Sequence, residues 1–268
     1  MLPEPTTSSG AAALARLVAA PAGALVAVDF DGTLAPIATR AEDARADPEA
    51  LAALARVAAV TGSTVVLTGR PAAVAVEYGG LAAVPGLTVL GHYGLQRWVG
   101  GALQTPPPDP RVVAARAELP SLPAGAYVED KGLSFVVHTR TATDPAVALA
   151  AVDAPLRALA AARGLEVVDG SFARELRPPG TDKGTTLLAL AAAMPAGVVV
   201  VLGDDDGDLP AADAVAELRA GGTPGLVVCA AREGGSIELR ERADLVVDGV
   251  AGVTAFLTAV AAAVSGGT

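Results

Sequence analysis

The sequence predicts an α/β protein: a doubly wound parallel sheet as the core, with a smaller α+β domain inserted into it. Three observations carry this expectation. Short, wholly apolar, β-branched runs alternate with Ala- and Leu-rich helical segments, the pattern of parallel strands covered on both faces. Two clusters, Pro106-Pro107-Pro108 and Pro178-Pro179-Gly180, bracket a stretch of different texture, as hinges of an insertion do. At 268 residues the chain is long enough for one core plus a modest insert.

The expected core strands are residues 24–29, 64–68, 88–91, 198–202, 226–229 and 244–247. Helices between them carry start and stop signals, such as Asp47-Pro48 before residues 49–60, Gly62 after them, and Pro71 opening the next. In the insert, a helix over 111–119 precedes strands 126–131 and 133–140 around Lys131-Gly132. A second helix over 145–163, capped by Asp144 and stopped by Gly164, precedes strands 165–169 and 172–177 around Gly170. The insert is thus a helix-strand-strand unit used twice, which predicts a four-stranded antiparallel sheet backed by two helices. The expected division is core over 1–103 and 181–268, insert over 104–180.

Hydrophobic residues make up 52% of the chain and aromatics only 3%, an Ala- and Val-rich globular composition. Residues 11–28 are broken by Arg16 and Pro21, so no signal peptide is expected. The apolar run 250–264 is shorter than the roughly 20 residues of a spanning helix and reads as a packed terminal helix. A single cysteine, Cys229, allows no intramolecular disulfide and points to a reducing, cytoplasmic setting and a core position. The net charge of −10 argues against nucleic-acid or anionic-membrane partners. An anionic small-molecule substrate would need local positive groups.

The strongest chemical signal is Asp29-Phe30-Asp31-Gly32-Thr33-Leu34, directly after an apolar strand. Ligands of open α/β sheets bind at the carboxyl ends of strands, and residues i and i+2 of an extended segment share a side. A second cluster, Gly203-Asp204-Asp205-Asp206-Gly207-Asp208, follows another apolar strand. So many carboxylates repel each other without a counter-ion, and a divalent metal ion held by oxygen ligands is the natural remedy. Thr68-Gly69-Arg70 ends a third strand, and Lys183-Gly184 opens a helix. A lysine there opposes the helix dipole, but a phosphate at that terminus makes both the helix amides and the lysine favourable.

These four segments, in this order, resemble the motifs of the haloacid dehalogenase (HAD) superfamily of aspartate-dependent phosphotransferases. The resemblance implies a HAD-like Rossmannoid core with Asp29 as nucleophile and Asp31 as acid, then base. It implies Thr68 and Lys183 as grips on the phosphoryl oxygens, and Mg²⁺ held by Asp29, the Asp31 carbonyl, Asp204 and Asp208. Five further stretches are similar to the trehalose-6-phosphate phosphatase family: Asp29–Ile37; Gly91-His92-Tyr93-Gly94-Leu95-Gln96; Val128-Glu129-Asp130-Lys131-Gly132; Val137-His138-Thr139-Arg140; and Glu175-Leu176-Arg177-Pro178 leading to Asp182-Lys183-Gly184. This implies a Mg²⁺-dependent phosphomonoester hydrolase that converts trehalose 6-phosphate to trehalose and phosphate through an aspartyl-phosphate, with the insert as its specificity cap. The alternatives are another sugar-phosphate phosphatase of the same fold, acting on sucrose 6-phosphate, mannosyl-phosphoglycerate or glucosylglycerol phosphate, and a non-catalytic sugar-phosphate-binding regulatory domain. Strand alternation groups Glu129 with Lys131, His138 with Arg140, and Glu175 with Arg177. These six, with Arg70, Tyr93 and Gly94, are the expected substrate contacts. The chain departs from the family pattern at Tyr93 and Gln96, and again at Gly207, Leu209 and Pro210.

Overall fold

A computed structural model of the chain describes residues 2–38 and 40–266. It divides into two compact units, Met1–Thr105 with Asp182–Thr268, and Pro106–Thr181.

The first unit begins α1 (Ser8–Ala19), β1 (Ala24–Val28), α2 (Pro48–Ala58), β2 (Ser63–Leu67), α3 (Ala72–Gly79), β3 (Thr88–Gly91), β4 (Gln96–Val99) and β5 (Ala102–Gln104). The second unit contributes α4 (Pro110–Ala117), β6 (Tyr127–Asp130), β7 (Phe135–His138), α5 (Pro145–Arg163), β8 (Glu166–Gly170) and β9 (Ala173–Arg177). The first unit then resumes with α6 (Lys183–Ala193), β10 (Val198–Gly203), α7 (Leu209–Ala220), β11 (Gly225–Ala231), α8 (Ile237–Arg242), β12 (Leu245–Asp248) and α9 (Gly249–Gly266).

Eight strands form the sheet of the first unit, in the order β12-β11-β10-β1-β2-β3-β4-β5. Strands β12 to β3 are parallel, and β4 and β5 add antiparallel. From β1 the chain moves outward through β2 and β3; it re-enters at β10 on the other side of β1 and moves outward again. The strand order therefore reverses between β1 and β10, and a crevice opens at their carboxyl ends. Burial on both faces explains the unbroken apolar runs. Ala24, Val26 and Val28 pack with α1, α2, α3 and α9, whereas Leu25 and Ala27 pack with α6, α7 and α8. Cys229 is buried in the second of these clusters, where burial pushes its thiol up to about 11. The terminal apolar run is α9, which buries Val253, Phe256, Leu257 and Val260 and lies along α2.

Local signals set the boundaries. Asp47 caps α2 by accepting from the Glu49 and Ala50 amides at 2.8 and 3.0 Å, with Pro48 at the first helical position. The β4–β5 hairpin was not expected from the apolar pattern, because its strands are short and mostly exposed. Its turn, Gly100-Gly101, has positive φ at both residues, the two-glycine geometry that closes a tight hairpin.

In the second unit the antiparallel order is β6-β7-β9-β8. Phe135, Val137 and Leu176 face Val112, Ala115, Val152, Leu156 and Ala160 of α4 and α5. The opposite sheet face carries the polar side chains.

Asp244, just before β12, joins three parts of the first unit. Its carboxylate accepts from the Val227 amide at 2.8 Å, from Arg219 at the end of α7, and from the Thr7 hydroxyl. The carboxylate is 1% exposed, so losing it leaves the buried Val227 amide without its acceptor and takes from Arg219 its counter-charge. We expect Asp244→Ala to lower the unfolding free energy by about 2–4 kcal/mol, read from urea titration; a loss below about 0.5 kcal/mol, the scale of an ordinary surface change, would show that the linkage is not structural.

Candidate active site

The loop after β1 places two carboxylates. The Asp29 amide donates to the Leu202 carbonyl at 2.9 Å, which extends the β1–β10 ladder by one residue. Phe30 and Leu34 turn into the core, so the carboxylates of Asp29 and Asp31, on either side of Phe30, are left for the crevice. Gly32 has φ +80°, and a Cβ there would lie 2.2 Å from Asp204 Oδ2. Only glycine lets the β1 loop come this close to the acid at the end of β10.

Lys183 is the hub. Its Nζ donates to Asp29 Oδ1 at 2.5 Å and to Asp208 Oδ1 at 2.7 Å, and all three side chains are buried. The sequence positions it simply: Asp182 caps α6 by accepting from the Thr185 amide at 2.7 Å, leaving Lys183 as the first helical residue. Gly184 lets α6 press on the start of α7, since a Cβ there would meet the Pro210 carbonyl oxygen at 2.3 Å. Burial opposes the charge on Lys183, but Asp208, Asp29 and Asp205 together outweigh it and hold the ammonium well above its ordinary value.

Asp204 and Asp208 complete the cluster. Asp208 Oδ2 accepts from the amides of Asp204 and Asp205 at 3.0 and 3.3 Å. Asp204 Oδ2 accepts from Arg232 Nε at 2.5 Å, while its Oδ1 is buried without a hydrogen-bond partner. One oxygen from each of Asp29, Asp204 and Asp208 can be chosen so that all lie within 4.8 Å of one another. Burial pushes Asp204 up to about 7, with Asp205 and Asp208 adding to the rise and Arg232 opposing it. Asp29 is raised well above the usual carboxylate range, first by burial, with Lys183 pulling the other way and Asp208, Asp204 and Asp205 reinforcing the rise. Four carboxylates against two cations leave a deficit of positive charge. An orphaned buried oxygen and an all-oxygen donor set fit a hard divalent cation, so this buried acidic triad has the makings of a metal site.

A second group lies around Asp31. Arg70 Nε and Nη2 each donate to the Asp31 carboxylate at 2.6 Å, a two-pronged pair that fixes the carboxylate plane. The guanidinium expected to contact substrate thus holds an acid of the site. Thr68 is buried at the end of β2, and its Oγ1 accepts from the Arg70 amide at 3.2 Å. The segment after β3 closes on it: the Tyr93 amide donates to the Thr68 carbonyl and the His92 amide to the Arg70 carbonyl, both at 2.9 Å. Tyr93 and Gly94 have positive φ, and the Tyr93 carbonyl accepts from Thr186 of α6 at 2.5 Å. Gln96 caps α3 through the Ala72 amide at 2.8 Å, a task that needs only a side-chain oxygen. Gly207 donates to Asp205, and Leu209-Pro210 begin α7.

The expected insert residues lie together on the open face of the second unit's sheet, with one exception. His138 Nε2 pairs with Glu129 Oε2 at 2.7 Å, and its ring stacks on Tyr127 with centroids 4.9 Å apart. Glu175 takes Lys131 Nζ at 3.4 Å on one oxygen and the Ser134 hydroxyl at 2.5 Å on the other. Arg177 pairs with Glu166. Arg140, by contrast, lies beyond the end of β7 in an exposed turn, so strand alternation does not reach it. Ser134 and Arg232 were not anticipated. Arg232 follows β11, which runs two residues beyond the expected end at Cys229; with the full strand in hand, it is one more charged residue at a carboxyl end.

Comparisons with known proteins bear on the family and the fold. The trehalose-phosphatase family model matches residues 27–238. Trehalose-phosphate phosphatases of Mycobacterium marinum and Mycobacterium tuberculosis are 32% and 33% identical over 202 residues, covering 70% of this chain and 50% of each relative. The chain thus spans about half the length of the curated relatives it matches. Among solved structures, the C-terminal domain of a Candida albicans trehalose-6-phosphate phosphatase superposes with TM-score 0.77 at 17% identity, covering 97% of this chain and 99% of that one. An Aspergillus fumigatus trehalose-6-phosphate phosphatase gives 0.68 at 20% identity, with 97% and 99% coverage. At such identities the likeness concerns the fold.

The raised carboxyls have a measurable consequence. Between about pH 5 and 7.5 an unfolded Asp204, with an ordinary value near 3.9, has already lost the proton that the native carboxyl, pushed up to about 7, gives up only within this window, so stability falls as pH rises. We expect the Tm of cation-free protein to fall across this window and to fall less in Asp204→Asn. A flat or rising Tm for the parent chain would contradict the charge balance of the cluster.

Proposed function

The chain belongs to the trehalose-phosphatase family, and on that premise we propose that it hydrolyses trehalose 6-phosphate to trehalose and phosphate, the last step of trehalose biosynthesis. The observation that carries the proposal is the buried Lys183 bridging Asp29 and Asp208 at the point where the strand order reverses. It supports reading Asp29 as the nucleophile and Lys183 as the cation that binds phosphate beside it.

In this reading Asp29 attacks phosphorus through the oxygen that Lys183 leaves available, the P–O bond to the sugar breaks, and the phosphoryl group stays on Asp29 as an aspartyl-phosphate. Asp31 gives its proton to the departing sugar oxygen, then takes one from the water that attacks phosphorus and frees Asp29. Splitting the reaction in this way replaces one hard displacement by two easier ones. Arg70 serves as a positioning residue that aims the Asp31 carboxylate. Thr68 and Lys183 hold the phosphoryl oxygens, with Tyr93 and Gly94 closing the loop beside Thr68. Asp29, the Asp31 carbonyl, Asp204 and Asp208 would hold Mg²⁺, which supplies charge to offset the nucleophile and the phosphoryl oxygens.

For the sugar, the polar face of the second unit offers matched groups. Glu129 and Glu175 accept from hydroxyls, and Lys131, His138 and Arg177 donate; Arg140 stands outside this set by its position. The division into a core with an inserted cap follows the two compact units. The charge balance suits a small anionic substrate steered by local cations rather than nucleic acid or an anionic membrane, and the buried, unpaired Cys229 suits the cytoplasm.

Phosphate release measured with Mg²⁺ on trehalose 6-phosphate, sucrose 6-phosphate, mannosyl-phosphoglycerate and glucosylglycerol phosphate tests the assignment. Trehalose 6-phosphate should lead by orders of magnitude, EDTA should abolish release, and Asp29→Asn should lower kcat at least about a thousandfold. A different preferred sugar would sink the substrate assignment, and undiminished turnover in Asp29→Asn would sink the mechanism. Glu175→Ala should raise KM for the sugar phosphate while leaving hydrolysis of p-nitrophenyl phosphate within about twofold; equal losses on both would remove Glu175 from sugar recognition.

A further inference from the structure

Within the acidic cluster, carboxylate oxygens are already engaged by protein donors. Lys183 takes Oδ1 of Asp29 and Oδ1 of Asp208, and backbone amides take Oδ2 of Asp208. Asp204 differs in its donor: its Oδ2 accepts from Arg232 Nε at 2.5 Å. Its Oδ1 is buried without a partner. The segment Arg232-Glu233-Gly234-Gly235-Ser236 is shaped around this contact. Arg232 Nη1 donates to the Glu233 carbonyl at 3.1 Å, and the Ser236 amide donates to the Asp204 carbonyl at 3.0 Å. A Cβ on Gly235 would come within 2.9 Å of that same carbonyl oxygen. Both the backbone and one carboxylate oxygen of Asp204 are therefore fixed, and one oxygen remains.

We propose that Arg232 is a specificity-determining positioning residue: by engaging Oδ2 it restricts Asp204 to a single ligand oxygen and thereby favours Mg²⁺ over Ca²⁺. The inference rests on the reading of Asp29, Asp204 and Asp208 as a divalent-cation site. Calcium takes about six to eight oxygens and readily uses carboxylates through both, whereas magnesium demands six in near-octahedral order and keeps several waters. An Asp204 with both oxygens free gains the two-oxygen mode that suits the larger ion. With Arg232 in place, that mode requires breaking a charge-assisted hydrogen bond.

Isothermal titration of the full chain with MgCl₂ and with CaCl₂ tests this directly, without recourse to turnover. Arg232→Met removes the donor and keeps much of the side-chain volume, and circular dichroism checks its fold; Arg232→Leu takes its place if the methionine variant does not fold. The ratio of the Ca²⁺ to the Mg²⁺ dissociation constant should fall about tenfold in Arg232→Met and return towards the parent value in Arg232→Lys. A purely structural role would weaken both ions in step and leave the ratio unchanged, which would overturn the inference alone. Failure of the parent chain to bind Mg²⁺ would overturn the cation-site reading and this inference with it.

Discussion

The contact on which the site depends is the pair of hydrogen bonds from Lys183 to Asp29 and Asp208. A buried ammonium without partners would lose its proton or remain outside; two buried carboxylates without one would repel each other. Each is tolerable only with the other. The fold supplies the meeting place by bringing three separate elements to one point: β1 delivers Asp29, the start of α6 delivers Lys183, and the turn after β10 delivers Asp204 and Asp208. Gly32 and Gly184 permit the approach, because any side chain there would occupy the space of Asp204 or the Pro210 carbonyl. Arg232 adds a second cation, paired with Asp204. The cluster still carries more negative than positive groups, the electrostatic reason that a divalent cation belongs to the proposed chemistry.

Much of this was legible because the informative residues sit at strand ends. A parallel strand buried on both faces reads as an apolar run, so an abrupt Asp-x-Asp or a run of aspartates after it marks the carboxyl edge of the sheet. Lys183 was legible for the opposite reason: a cation at a helix start is out of place unless something negative faces it, and here two carboxylates do. The four strands and two helices of the insert were likewise readable, since Asp144, Gly164 and Gly170 punctuate them.

What escaped the reading has equally physical causes. The β4–β5 hairpin has too little apolar character to announce itself, although Gly100-Gly101 carries the signal of its turn. Arg232 was hidden by ending β11 at Cys229, whereas Ala230 and Ala231 continue the strand with small side chains that give little β signal. That Arg70 pairs with Asp31 depends on its reach and forked geometry, which the folded chain shows and the order of residues does not. Arg140 lies two residues past His138, where β7 stops and alternation has no force. A lone serine near a turn has many ordinary explanations, and only its pairing with buried Glu175 gives Ser134 meaning.

The two units therefore divide the proposed work. The first concentrates charge around Asp29, and the second offers a face of alternating acids and bases suited to hydroxyl groups. The central claim is that Asp29 carries the phosphoryl group between the two steps. The most direct test is rapid quenching of the Mg²⁺-loaded chain during turnover of trehalose 6-phosphate, borohydride reduction, and peptide mass spectrometry. Conversion of Asp29, and of no other residue, to homoserine is the expected result. An unmodified Asp29 during a measured burst of sugar release, or reduction at a different carboxylate, would contradict it.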